Sequence, residues 1–202
     1  MQTTKESKIK ENIGIVLSGS FNPIHNGHIK ILGEAKNYLE KNHNFNVIYG
    51  YLAPSSDNYV KYKLGDWAIN LSDRVKMCEL ASKDYDWIKV CSWGIASSFK
   101  TAQKLQTIAK CKVLEIGGAD YVFKTKIWRT RPFICIGRKG DTENIKKAMR
   151  HDNCHSGFIL IDKEIEDVSS TKIRTYLDNN DYIMPIKLGL ISQEVSEYIK
   201  NL

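Results

Sequence analysis

The stretch Ile13-Gly14-Ile15-Val16-Leu17-Ser18-Gly19-Ser20-Phe21-Asn22-Pro23-Ile24-His25-Asn26-Gly27-His28 reads as an apolar strand that runs into a small-residue turn and then into a helix. Five branched or small apolar residues in a row suit a strand buried on both faces. The helical spacing of His28–Glu40 follows it directly. The same alternation continues outward along the chain. Short β-rich runs stand at Ile13–Leu17, Phe45–Leu52, Trp87–Cys91, Lys112–Ile116, Phe133–Ile136 and Gly157–Ile161. Helical periodicity fills His28–Glu40, Ser72–Ser82, Ser97–Ala109, Asp141–Arg150, Ser169–Leu177 and Ser192–Asn201, with Ser72 and Ser192 as candidate N-caps. Strand–helix alternation of this kind predicts a parallel sheet covered by helices on both faces. Ligands of such sheets lie outside the carboxyl ends of the strands, at the point where strand order reverses.

Composition removes several classes. The 202 residues carry 30 Lys and Arg against 23 Asp and Glu, a net charge of +7, and 42% are hydrophobic. No apolar run approaches the roughly 20 residues needed to span a bilayer, and Met1–Asn12 is polar with no secretory pattern. The five cysteines, Cys78, Cys91, Cys111, Cys135 and Cys154, are odd in number and contain no C-x-x-C pair. That set predicts free thiols in a reducing compartment, cytoplasmic or nuclear, with no zinc knuckle and no membrane association. The positive charge leaves nucleic acid and small phosphorylated ligands both open.

The turn after the first strand carries the chemistry. Gly19 and Ser20 let backbone approach a ligand, and Gly27 sits where the chain enters the helix, a site of free N–H groups and positive dipole. His25 and His28 bracket Gly27, so two imidazoles can donate to phosphate oxygens and stabilise charge developing there. A capping histidine with a packed neighbour is the plainer reading of either residue alone. The joint pattern of strand, glycine turn and H-x-G-H spacing favours a phosphate site. A second candidate helix start lies at Val168-Ser169-Ser170-Thr171-Lys172-Ile173-Arg174, with hydroxyls at the cap and cations one turn inside.

Gly19-Ser20-Phe21-Asn22-Pro23 with His25-Asn26-Gly27-His28 resembles the (H/T)-x-G-H signature of the nucleotidyltransferase superfamily, in the form found in nicotinamide/nicotinic acid mononucleotide adenylyltransferases. Val168–Arg174 is similar to the I-S-S-T-x-x-R motif of the same family, with Val for the usual Ile. Leu52–Lys61 resembles its P-x-x-D-x-Y-x-K segment, and Trp87–Trp93 its W-x-x-V-x-x-W. Gly117-Gly118-Ala119-Asp120 is similar to its G-x-D turn and Ile127-Trp128 to its Leu-Trp, while Arg138 stands where the family also has an arginine. Gly94 departs from the pattern, because the family usually has Glu after the second tryptophan.

The resemblance covers about Ile13 to Ile199. It implies an α/β fold, a Rossmann-like doubly wound parallel sheet forming a single domain over 1–202. A small helical portion would close the C-terminus, and residues 1–12 would be a flexible extension. The implied reaction transfers the adenylyl group of ATP to nicotinamide or nicotinic acid mononucleotide, giving a dinucleotide and pyrophosphate. His25, His28 and Arg174 would act in catalysis. Gly19, Ser20, Phe21, His25, His28, Asp120, Ser170, Thr171 and Arg174 would bind ATP. Ser20, Phe21, Lys61, Trp93 and Trp128 would bind the mononucleotide. Mg2+ would arrive on the ATP phosphates, with no metal ligands from the protein.

Three rival readings have less behind them. A nucleotidyltransferase for phosphopantetheine or for cytidylyl transfer shares H-x-G-H but not the tryptophans. A nucleic-acid-binding module fits the charge but lacks a Lys/Arg stripe with interleaved aromatics. A redox sensor lacks activating neighbours around its cysteines. Once a phosphate site explains the cations, nucleic acid is unnecessary as a partner. Amide against acid preference and oligomeric state, homo-oligomer included, stay open at this level.

Overall fold

A computed structural model describes residues 9–138, 141–165 and 168–202, with the backbone alone at 138, 164 and 165. The strands are β1 (Glu11–Gly19), β2 (Phe45–Pro54), β3 (Ile88–Val90), β4 (Lys112–Gly118), β5 (Phe133–Arg138) and β6 (Phe158–Ile165). The helices are α1 (Asn26–Asn42), α2 (Asp57–Leu64), α3 (Leu71–Ser82), α4 (Ser98–Ala109), α5 (Ala119–Thr125), α6 (Asp141–Arg150), α7 (Ser170–Asp178), α8 (Met184–Lys187) and α9 (Gln193–Lys200). One six-stranded sheet takes the order β3-β2-β1-β4-β5-β6, and every pairing in it is parallel. This is the doubly wound order, with the reversal between β1 and β4.

Alternation along each strand sends side chains to opposite faces and divides the core. Ile13, Ile15 and Leu17 of β1 join Leu32, Ala35 and Leu39 of α1, Met77 of α3, Ile173 of α7 and Val195 of α9 in one layer. Val16 of the same strand faces Ala102 and Leu105 of α4 on the other side. Further along that side, Phe133 and Cys135 of β5 pack with Val122 of α5 and Ile145 of α6. Both faces of β1 are therefore dry, which is why its sequence is continuously apolar instead of alternating.

Several boundaries differ from the sequence pattern for identifiable reasons. The extension expected over 1–12 lies outside the described residues as far as residue 8, and Glu11 and Asn12 already pair with Phe45 and Asn46 in the sheet. The cap of α3 is Asn70 and not Ser72: the Asn70 side chain accepts from Asp73 N–H at 3.0 Å, and Ser72 Oγ donates to Asn70 Oδ1 at 2.6 Å. Ser192 does cap α9, accepting from Val195 N–H at 3.3 Å. Three helices, α2, α5 and the short α8, lie in segments where the sequence shows no helical periodicity.

Among the described residues the cysteines are unpaired, and Cys78, Cys91 and Cys135 are buried. Burial pushes Cys91 and Cys135 up to about 12 and raises Cys78 further in the same direction. These thiols stay protonated in the fold at pH values where the unfolded chain has lost its protons. The native state then binds more protons than the unfolded state, and unfolding free energy falls as pH rises. The urea midpoint should accordingly drop between pH 8 and pH 10. An unchanged midpoint across that range would contradict the burial assigned to these thiols.

Candidate active site

The chain leaves β1 at Gly19 and reaches α1 at Asn26 through a turn whose carbonyls are gripped from two sides. Phe21 adopts φ of 47° and is 1% exposed, so the backbone doubles back with its ring sealed inside. Arg74 of α3 is wholly buried; its Nη1 donates to Ser20 O at 3.0 Å and its Nε to Ile69 O at 2.8 Å. Its Nη2 reaches Asp57 Oδ1 at the start of α2, at 2.8 Å. The Asn22 side chain, also fully buried, donates to Trp67 O at 2.7 Å and accepts from Ile69 N–H at 2.8 Å.

The second motif is bonded to the same turn. Arg174 Nη1 donates to Asn22 O at 2.8 Å, Ser170 Oγ to Pro23 O at 2.8 Å, and Arg174 Nη2 to Thr171 Oγ1 at 3.0 Å. Ser169 caps α7 by accepting from Lys172 N–H at 3.2 Å. Gly27 makes the closure feasible: a Cβ there would stand 3.0 Å from His25 Nδ1 and 3.3 Å from Val168 Cβ. Partial burial lowers the Arg174 pKa from its usual value, with Asp178 opposing, and a guanidinium remains charged throughout.

The two histidines form one stacked unit. Their ring centroids are 3.6 Å apart with 24° between planes, and Phe21 meets His28 edge-on at 4.9 Å. His25 N–H donates to His28 Nδ1 at 3.2 Å. A nitrogen that accepts carries no proton, so neutral His28 bears its hydrogen on Nε2, which makes that atom a donor. The N-terminus of α1 is less open than the sequence suggests. Asn26 N–H donates to Leu190 O at 2.8 Å, and His28 N–H to His25 O at 2.9 Å. Donors for a bound anion are therefore to be sought among side chains more than among these helix N–H groups. Ser18 and Ser20 supply two candidates, because their hydroxyls are buried and have no hydrogen-bond partner among the described residues.

The remaining expected residues are spread along the same carboxyl edge. Asp120 is exposed in the first turn of α5, immediately beyond β4, and its carboxylate folds back against Gly118. Lys61 is exposed in the last turn of α2. The segment leading into that helix is tied to the end of β1, where Ser55 N–H donates to Gly19 O at 2.8 Å. Trp93 lies just past β3, half-buried, with Lys104 Nζ 4.0 Å from its ring centroid. Trp128 is different: it is 1% exposed and packed with Val122, Ile127 and Ile145, so no face of its ring stands open. Ser170 lies at the start of α7 with its hydroxyl donating to Pro23 O. Arg138 lies outside the described side chains. Arg74, which holds the turn, escaped sequence reasoning because its partners are mainly backbone carbonyls that no side-chain pattern records.

The cytidylyltransferase-like family matches residues 16–176, which include both signature loops. The chain belongs to that family. Among its relatives, nicotinamide/nicotinic acid mononucleotide adenylyltransferase 2 of Xenopus tropicalis is 39% identical over 84 residues, 42% of this chain and 26% of that one. The nicotinamide/nicotinic acid mononucleotide adenylyltransferase of Schizosaccharomyces pombe is 25% identical over 220 residues, covering 91% of this chain and 59% of that one. This member of the family thus aligns with less than two thirds of either relative. The fold is shared with Plasmodium falciparum nicotinic acid mononucleotide adenylyltransferase complexed with NaAD, at TM-score 0.65 and 18% identity over 95% of each chain.

Replacing Arg74 by Ala strips two half-buried carbonyls and the Asp57 carboxylate of a donor at once. The cost expected is about 3 kcal/mol, from the unpaired acceptors and the loss of a fully buried side chain. Urea unfolding of Arg74→Ala checks this. A loss below about 1 kcal/mol would show that the turn does not depend on that guanidinium.

Proposed function

We propose that this protein transfers the adenylyl group of ATP to nicotinamide or nicotinic acid mononucleotide, releasing pyrophosphate. The observation that carries the reading is the joining of the two motif loops at the β1/β4 reversal. Arg174 and Ser170 bond to Asn22 and Pro23 beside the stacked histidines. The orphaned Ser18 and Ser20 hydroxyls support it, since a phosphorylated ligand would satisfy them. The names of the relatives support the same choice of substrates.

The mononucleotide phosphate is already anionic, so an oxygen of it attacks the α-phosphorus of ATP in line without a general base. A new P–O bond forms at the α-phosphorus while the bond to the β-phosphate oxygen breaks, and pyrophosphate departs with that electron pair. His28 Nε2–H and Arg174 stabilise the charge that builds on the transferring group, and Thr171 steadies the guanidinium. His25 holds the tautomer of His28 through its backbone N–H and the pose of the ring through stacking. Gly19, Ser20 and Phe21 form the floor between the two nucleotides, and Asp120 faces the adenosine side. Lys61 receives the mononucleotide phosphate, and Trp93 offers its ring to the pyridine. Trp128 serves that end as part of the wall behind it, given its burial.

Magnesium enters this proposal as a companion of the ATP phosphates, which supply the hard oxygen ligands it prefers. Among the described residues no helix is long and apolar enough to cross a membrane. The buried cysteines, with thiols held protonated, suit a reducing cytoplasmic or nuclear setting. One domain over 1–202, with no nucleic-acid partner, completes the reading. A homo-oligomer is compatible with it.

The direct test is pyrophosphate release from ATP with each mononucleotide in turn. Release that depends on a pyridine mononucleotide is expected. Salt-sensitive nucleic-acid binding with no release would replace this reading by a binding module. Within the active protein, His28→Ala should lower turnover by about a hundredfold, as loss of one preorganised donor does, with the fold retained. Turnover near that of the unsubstituted protein would remove His28 from the mechanism.

A further inference from the structure

We propose that Lys104 makes this site select the pyridine mononucleotide whose ring bears a carboxylate over the one whose ring bears an amide. The inference rests on the function proposed above and assigns the preference that the motifs leave open.

Three observations converge at Trp93. The Lys104 ammonium sits 4.0 Å from the Trp93 ring centroid, close enough to engage its π-electrons. Next, the loop beyond Trp93 has no room for an acidic side chain. A Cβ on Gly94 would lie 2.9 Å from Ser56 Cα and 3.0 Å from Leu71 Cδ2. The loop is also clamped to the end of β2, with Ile95 N–H donating to Pro54 O at 2.9 Å and Ser56 N–H to Ile95 O at 3.0 Å. Finally, the 28 residues Trp87–Leu114 contain five lysines, Lys89, Lys100, Lys104, Lys110 and Lys112, and no Asp or Glu. Every charge in the sequence stretch that holds Trp93 is therefore positive, and one of those cations is already on the ring.

The chemistry of the two substrates does the rest. Both rings are N-ribosylated and carry the pyridinium charge. The amide ring is a net cation, whereas the acid ring is neutral overall because its carboxylate is ionised near pH 7. A pyridinium approaching Trp93 draws on the same quadrupole that already holds the ammonium, so two cations compete for one indole whichever face the ligand takes. The carboxylate of the acid form cancels that repulsion and is itself attracted to the lysine. Lys104 acts through Trp93, as a specificity residue remote from the phosphates.

The experiment compares kcat/KM for the two mononucleotides in the unsubstituted protein, Lys104→Met and Lys104→Arg, by pyrophosphate release. The unsubstituted protein should favour the acid by about tenfold, the range open to one cation–π contact with partial desolvation. In Lys104→Met the ratio should fall close to one, chiefly through a lower KM for the amide, with kcat for both substrates kept. Lys104→Arg should restore the preference, and rising salt should erode it because the ammonium is exposed. An amide preference in the unsubstituted protein, or an unchanged ratio in Lys104→Met, overturns the role of Lys104 while the reaction stands. Absence of release with either mononucleotide overturns the reaction and this inference with it.

Discussion

The turn between β1 and α1 is held open by two arginines that come from distant parts of the chain. Arg74 binds the carbonyl of Ser20 from the α3 side, and Arg174 binds that of Asn22 from the α7 side. A backbone that leaves a buried parallel strand and reverses has carbonyls with no ladder to join, and leaving them dry and unpaired is costly. Guanidinium groups suit this task because they present several donors in a fixed plane and never lose their charge. Everything else at the carboxyl edge follows from this grip. The histidines can stack because Gly27 has no side chain, and the second motif meets the first because Ser170 and Arg174 bond to its backbone.

The same grip decides which donors of the turn are already committed. The first N–H of α1 points to the carbonyl of Leu190 and is not available for a ligand. The C-terminal segment thereby seals one part of the helix start and leaves the imidazole side as the polar face. Since His28 takes a hydrogen bond on Nδ1, its ring hydrogen belongs on Nε2. That donor is directed by the backbone of its own cap residue, so a single local turn fixes tautomer and orientation together.

Legibility in the sequence followed the physics of each element. The inner strands were readable because burial on both faces leaves an apolar run that little else produces, and the edge strands β3 and β6 through their β-branched and aromatic content. The long helices α1, α4 and α6 were equally plain. By contrast, α2 buries only Val60, and α5 buries only Ala119 and Val122, so neither leaves a periodic stripe to detect. The cap of α3 was displaced by two residues because Asn70 and Ser72 are both able to cap, and their mutual hydrogen bond settles which one does. In the candidate site, His25, His28, Thr171 and Arg174 were visible as spaced polar residues at strand ends. The depth of Trp128 and the bracing role of Arg74 were not, since burial and long-range carbonyl contacts leave no mark on local pattern.

The clamp at Gly94 has a mechanical consequence. With Ser56 backbone pressed against it, position 94 accepts a side chain only if Ser56 gives way, and the bridge between Ser55 and Ile95 resists that shift. A side chain here and the present loop closure compete for the same space. The absence of one side chain thus couples the stiffness of the Trp93 loop to the end of β2, so that the two move as one piece.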